Sequence, residues 1–189
     1  MLSQTETPPA AARNPPNDAA VGRPAALVSA EEFREALSRV ASSVSIVTTD
    51  GAHGIAGFTC SAVCAVTDEP PTILVCVNRK SAANAIIKAN GVLCVSSLGA
   101  DQVALSQMFA GVGRIPMQER FGGSHWGSLA TGSPYCKASR VALDCRIAEV
   151  RELGTHSIFF AEVLSTAHAA EKEPLLYCSR SYATIQNVA

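Results

Sequence analysis

Between Gly57 and Ser81 two β-rich runs flank an acidic Pro-Pro turn, Asp68-Glu69-Pro70-Pro71. The first run is Gly57-Phe58-Thr59-Cys60-Ser61-Ala62-Val63-Cys64-Ala65-Val66-Thr67, and the second is Thr72-Ile73-Leu74-Val75-Cys76-Val77. Thr, Val, Cys and Ile dominate both, which suits pleated strands. The second run ends in Asn78-Arg79-Lys80-Ser81, after which an Ala/Ile-rich segment of helical period begins. A strand, a short basic loop and a helix start form an anion site. The first helical turn leaves N–H groups free, and the helix dipole places partial positive charge there. Arg79 and Lys80 add full charges, so a phosphate suits the place. The plainer reading has Ser81 as an ordinary N-cap and the two cations as a solvated corner. Thr59, Cys60, Ser61 and Ala62 weigh against it, because small side chains let a flat ligand lie close to a strand backbone.

The rest of the chain narrows the function class. Its 189 residues, 48% of them hydrophobic, suffice for one domain with a core. A net charge of −1 gives no bulk electrostatic case for nucleic acid or membrane surfaces. No apolar run approaches the roughly 18 residues that a membrane helix needs, and the N-terminus lacks a secretory h-region. Seven cysteines, an odd number, fall mostly inside apolar β runs with no Cys-x-x-Cys, and the four histidines do not pair at ligand spacing. No metal site is expected, and a reducing cytoplasm is the simplest compartment.

Residues 1–28, rich in Pro and Ala, read as a disordered tail, and residues 29–189 as a single domain. Ser29 and Glu32 form a capping box, and Phe33, Ala36, Leu37 and Val40 make a helical stripe expected to pack on the domain. Val44 to Thr49 alternates as a strand before an Asp50-Gly51 turn signal. Ala82 to Ala89 reads as a helix stopped at Asn90-Gly91, Val92 to Leu98 as a buried strand, and Gly99 to Phe109 as a helix capped near Asp101. The Gly- and Pro-rich segment from Ala110 to Ser139 reads as a long loop. Ala142 to Glu152 and Ser157 to Leu164 form two strands about a turn at Leu153-Gly154, and Leu175 to Ser179 a last strand. About six or seven strands, few helices and no βα alternation predict a mainly β fold, a closed antiparallel barrel rather than a Rossmann domain.

The run from Gly57 to Ser81, followed in order by Phe109-Ala110-Gly111, Glu119-Arg120-Phe121, Gly154-Thr155-His156 and Arg180-Ser181-Tyr182, resembles the short-chain flavin reductases of two-component monooxygenases. These are the partners of 4-hydroxyphenylacetate, phenol and chlorophenol monooxygenases and of pyrimidine degradation. The resemblance spans about Glu32 to Ile185 and implies a Greek-key, FMN-binding split barrel. It implies an NADH-preferring NAD(P)H:flavin oxidoreductase that reduces FAD or FMN by hydride transfer. Free reduced flavin would then diffuse to a separate monooxygenase that hydroxylates an aromatic compound. A homodimer is implied as well.

By the same resemblance Thr59, Cys60, Ser61 and Ala62 line the isoalloxazine, and Asn78, Lys80 and Ser81 meet the ribityl chain and phosphates. His156 stands at the nicotinamide face as the catalytic, ring-positioning residue. Arg180 meets a pyrophosphate, Tyr182 stacks near the nicotinamide, and Arg120 and Phe121 are weaker cofactor contacts. Arg79 is expected to face solvent, and Phe109 to belong to the core. Ser96 stands where an Asn is common in the family strand, which leaves FAD against FMN open. Two other readings stay open: a non-catalytic flavin-storage barrel, and a reductase of another acceptor such as a corrinoid.

Overall fold

Seven strands of this chain pair in one antiparallel sheet whose two edge strands are consecutive in sequence. The computed structural model describes residues 26–169 and 172–186. The tail expected over 1–28 therefore falls outside the described residues, except at 26–28. From the N-terminus come helix α1 (Ala30–Ser38), strands β1 (Ser42–Ser43), β2 (Ser45–Thr49), β3 (Ala56–Cys60), β4 (Val63–Asp68) and β5 (Pro71–Asn78), then helix α2 (Ala82–Asn90). Next come β6 (Val92–Ser97), α3 (Val103–Phe109), α4 (Met117–Arg120), β7 (Trp126–Ser128) and β8 (Pro134–Cys136). The chain closes with β9 (Val141–Leu153), β10 (His156–His168), β11 (Leu176–Cys178) and β12 (Ser181–Ala183).

The large sheet runs β3-β2-β6-β9-β10-β5-β4. Its edges, β3 and β4, are joined only by Ser61 and Ala62. A two-residue link spans at most about 10 Å, so the sheet must curl until its edges meet at that corner. No ladder pairs β3 with β4. The barrel is therefore split rather than closed, as the resemblance implied. Curvature comes from β10, whose register against β9 shifts between Phe160 and Ala161 and again between Val163 and Ser165. The β9–β10 turn is tight because Gly154 takes φ +54°.

Helix α2 closes the barrel interior. Ala83 and Ile87 sit among Val47, Val75, Val77, Leu93 and Phe159 in the larger core cluster. Gly91, at φ +71°, stops the helix. The smaller cluster, Val44, Ile46, Leu98, Phe109 and Leu175, lies on the other side of β2. Strand β2 is thus covered on both faces and reads as a continuously buried strand. Its threonines carry their hydroxyls to backbone carbonyls: Thr48 Oγ1 donates to Cys94 O and Pro134 O, and Thr49 Oγ1 to Val92 O at 2.8 Å.

Two expectations fail here. The capping box of α1 forms as expected, but Phe33, Leu37 and Val40 are exposed instead of packing on the barrel. Helical period locates an apolar stripe without saying what covers it. The segment from Ala110 to Ser139 is not a plain loop, since it contains α4, β7 and β8. Phe109, Phe121 and Trp126 pack ring to ring at 4.9–5.4 Å. Asp144, wholly buried, accepts from Thr131 N at 2.7 Å and from Thr131 Oγ1 at 2.5 Å, and so anchors the segment to β9.

Candidate functional site

The corner where the sheet edges meet carries most of the residues singled out above. Thr59 and Cys60 end β3 and, by the period of a strand, face opposite sides. Thr59 Oγ1 donates to Ser106 O of α3 at 2.6 Å. Cys60 turns its thiol into the barrel core, beside Cys76 O. Burial pushes that thiol up to about 11, so it stays protonated at neutral pH and takes no part as a thiolate. Cys60 therefore offers a ligand its backbone, not its sulfur. Ser61 and Ala62 are exposed, and Ala62 O accepts from Cys76 N at 3.0 Å, which pins the corner to β5.

Two residues beyond Cys76, β5 ends in the basic loop. Asn78 folds it: its carboxamide Oδ1 accepts from Lys80 N at 2.9 Å, and its carbonyl from Ser81 N at 2.9 Å. Ser81 stands at the N-cap of α2 yet makes no side-chain capping bond, and the first turn of α2 holds no acidic residue. A hydroxyl that is free of its usual capping work, beside first-turn amides and Lys80, suits an anion.

His156 opens β10 directly opposite Asn78. Opposed residues of an antiparallel pair project from the same face, so the imidazole belongs to the same wall as the loop. Its Nδ1 lies 2.9 Å from Thr155 Oγ1. Arg79 is exposed, as expected, and is also tethered. Its N–H donates to Thr155 O at 2.9 Å, Nη1 donates to Gly154 O at 3.3 Å, and Nε lies 3.1 Å from Glu152 Oε2. The β9–β10 turn holds this guanidinium while its side chain stays 54% exposed.

On the outer side of β3 a cavity of about 220 Å³ is lined by Thr59, Ser61, Ser106, Tyr177 and Tyr182, among others. Tyr182 Oη and Ser106 Oγ are 3.0 Å apart, and Tyr177 packs edge-on against the Tyr182 ring at 5.4 Å. Tyr182 is thus beside the small-residue strand, although the two are far apart in sequence. Ser106 carries little signal in sequence, being one of two polar residues, with Gln107, on a mostly apolar helix. Tyr182→Phe should cost about 1 kcal/mol, because it strips the partner from a wholly buried Ser106 hydroxyl. The check is a melting temperature lowered by about 2–4 °C.

Three expected site residues are not brought to this corner. Arg180, in a turn with φ +60°, donates from Nη2 to Glu35 Oε2 of α1 at 2.7 Å and opens on a separate hollow beside that helix. Arg120 donates from Nε to Ile115 O at 2.8 Å and lies over the Phe109 ring. Phe121 packs on Phe109 and Trp126 and closes over Gly57, where an added Cβ would stand 3.1 Å from its ring. Phe121 thus packs against β3, and Arg120 against Phe109.

This chain is similar to known proteins in sequence and in fold. The description "Flavin reductase like domain" matches residues 37–186. An FMN reductase (NADH), RutF, of Ancylobacter novellus is 48% identical over 166 residues, which cover 88% of this chain and 90% of that protein. A candidate flavin reductase of known structure from Haemophilus somnus is 40% identical with a TM-score of 0.79, covering 84% of this chain and all of the other. BorF, the flavin reductase component of a bacterial two-component tryptophan halogenase, is 26% identical with a TM-score of 0.78, covering 85% of this chain and all of BorF.

Proposed function

This chain belongs to the flavin reductase-like domain family, and on that premise we propose that it oxidises NADH and reduces FMN, or FAD in its place, at the corner between β3, β4 and β5. The observation that carries the reading is the meeting of three features at one barrel end: the exposed Ser61-Ala62 backbone, the Asn78–Ser81 loop at the start of α2, and His156 in register with Asn78. Flavin and NADH are supported by relatives named FMN reductase (NADH).

When bound, flavin supplies the chemistry by accepting a hydride from the nicotinamide and carrying the electron pair onward. The protein's part is position and electrostatics. The strand backbone from Thr59 to Ala62 would offer N–H and C=O groups to the edge of a flat ring. Lys80, Ser81 and the first-turn amides of α2 hold the phosphate. His156 orients the nicotinamide, and Tyr182 bounds the neighbouring cavity. No proton donor is required of these side chains, because hydride transfer moves the electron pair directly.

In this reading the reduced flavin leaves for a separate monooxygenase that hydroxylates an aromatic compound. BorF, itself a component of a two-component system, supports that arrangement. A homodimer fits the exposed apolar residues Val66 of the edge strand β4 and Phe33 and Leu37 of α1. A cytoplasmic setting fits the seven free cysteines. Among the described residues no helix is long and apolar enough to cross a membrane. The test is steady-state NADH oxidation with and without added FMN. The rate should rise and saturate with FMN; a flavin-storage barrel would consume no NADH, and a corrinoid reductase would need the other acceptor.

A further inference from the structure

We propose that Glu152 is the positioning residue that braces the phosphate loop, and so gives this site its preference for phosphorylated flavin. The inference rests on the assignment of Asn78–Ser81 to the flavin phosphate. Glu152 lies on β9, opposite Ser157 and one residue before the end of that strand. Its carboxylate reaches three elements at once. Oε2 lies 3.1 Å from Arg79 Nε in the loop, Oε1 accepts from Lys88 Nζ of α2, and both oxygens accept from Ser157 Oγ of β10 at 2.9 and 3.1 Å. Ser157, wholly buried, is in turn bonded to Asn84 of α2, whose Nδ2 donates to Ser157 Oγ at 2.9 Å and to Val77 O of β5 at 3.2 Å. One carboxylate thus ties together the loop, the helix whose N-terminus faces the anion, and the strand that carries His156.

The Arg79 arm of the network contributes little to stability. The Arg79 and Glu152 side chains are 54% and 41% exposed, and pairs in that setting contribute little to folding. The Lys88 hydrogen bond, its largest influence, holds the Glu152 carboxyl below the usual carboxylate range, so the brace is charged at neutral pH. Its geometric effect is to draw the Arg79 guanidinium back onto the β9–β10 turn. Lys80, Ser81 and the α2 amides are then left to meet the phosphate in a fixed arrangement. A loop that must be ordered on binding would lose affinity to that ordering.

The experiment measures Kd for FMN and for riboflavin, which lacks the phosphate, in the wild-type protein and in Glu152→Gln and Glu152→Asp. The first variant keeps the shape and loses the charge; the second keeps the charge and loses the reach. Wild type should bind FMN more tightly than riboflavin by at least about tenfold. Both variants should weaken FMN binding by about three- to fivefold and leave riboflavin unchanged. Lys88→Met, which cuts one arm of the brace, should do the same more weakly. If the wild type does not distinguish the two flavins, the phosphate assignment fails and the proposal with it. If it does and the variants keep the full preference, or bind FMN more tightly, the assignment stands and Glu152 is not the brace. Equal losses for both flavins would mark a general defect of folding and overturn the positioning role.

Discussion

Replacing Lys80 and Ser81 together by alanine should weaken FMN binding by more than about tenfold while leaving the fold intact. A charge-assisted hydrogen bond to a phosphate contributes roughly 1.5–3 kcal/mol, and one such contact already gives the tenfold. Loss of an N-cap serine would ordinarily cost a helix about 0.5–2 kcal/mol. Here the Ser81 hydroxyl makes no capping bond, and Lys80 is exposed, so little stability is there to lose. Asn78, which folds the loop through Lys80 N and Ser81 N, is untouched by the change. Affinity and stability should therefore separate. A fluorescence titration with FMN gives the first and a thermal melt the second. Unchanged FMN affinity would remove the loop from the site.

The second large effect is expected at His156. His156→Ala should lower kcat/KM for NADH by less than the roughly 10²–10⁴-fold typical of a lost general acid or base, because the imidazole orients a ring and moves no proton. The side chain is exposed, so its removal leaves no buried cavity. Its place opposite Asn78 makes the measurement sharper than sequence alone could. A nicotinamide contact predicts a loss confined to NADH, with FMN affinity unchanged. A phosphate contact predicts the reverse, since Asn78 belongs to the loop. Steady-state kinetics at saturating FMN, beside an FMN titration, tells them apart.

Much of this site was legible in the chain because its signals are local. The alternation of β3 and β5, the Asn78–Ser81 loop and the Gly154 turn each occupy a few consecutive residues. Gly154-Thr155-His156 announced a turn between strands, and the register that sets His156 against Asn78 follows once β5 and β10 pair. What the sequence hid depends on distant partners. Ser106 meets Tyr182 only because α3 lies over β3 and the C-terminal hairpin closes beside them. Arg79 looked like a free cation because nothing near it in sequence marks Glu152 as its partner. Arg120 and Phe121 read as cofactor contacts from neighbouring residues alone, and the chain does not show that Phe121 meets Gly57 or that Arg120 lies over Phe109. The stripe on α1 had the right period, yet among the described residues nothing covers Phe33, Leu37 or Val40.

The claim at the centre is that this corner passes a hydride from NADH to flavin. It is tested most directly by a single turnover in an anaerobic stopped-flow instrument, with protein and FMN mixed against NADH or NADH deuterated at the transferred position. Flavin absorbance should bleach in step with NADH oxidation, and the deuterated donor should slow that phase. A flavin that stays oxidised while NADH is consumed, or is never reduced at all, would contradict the account.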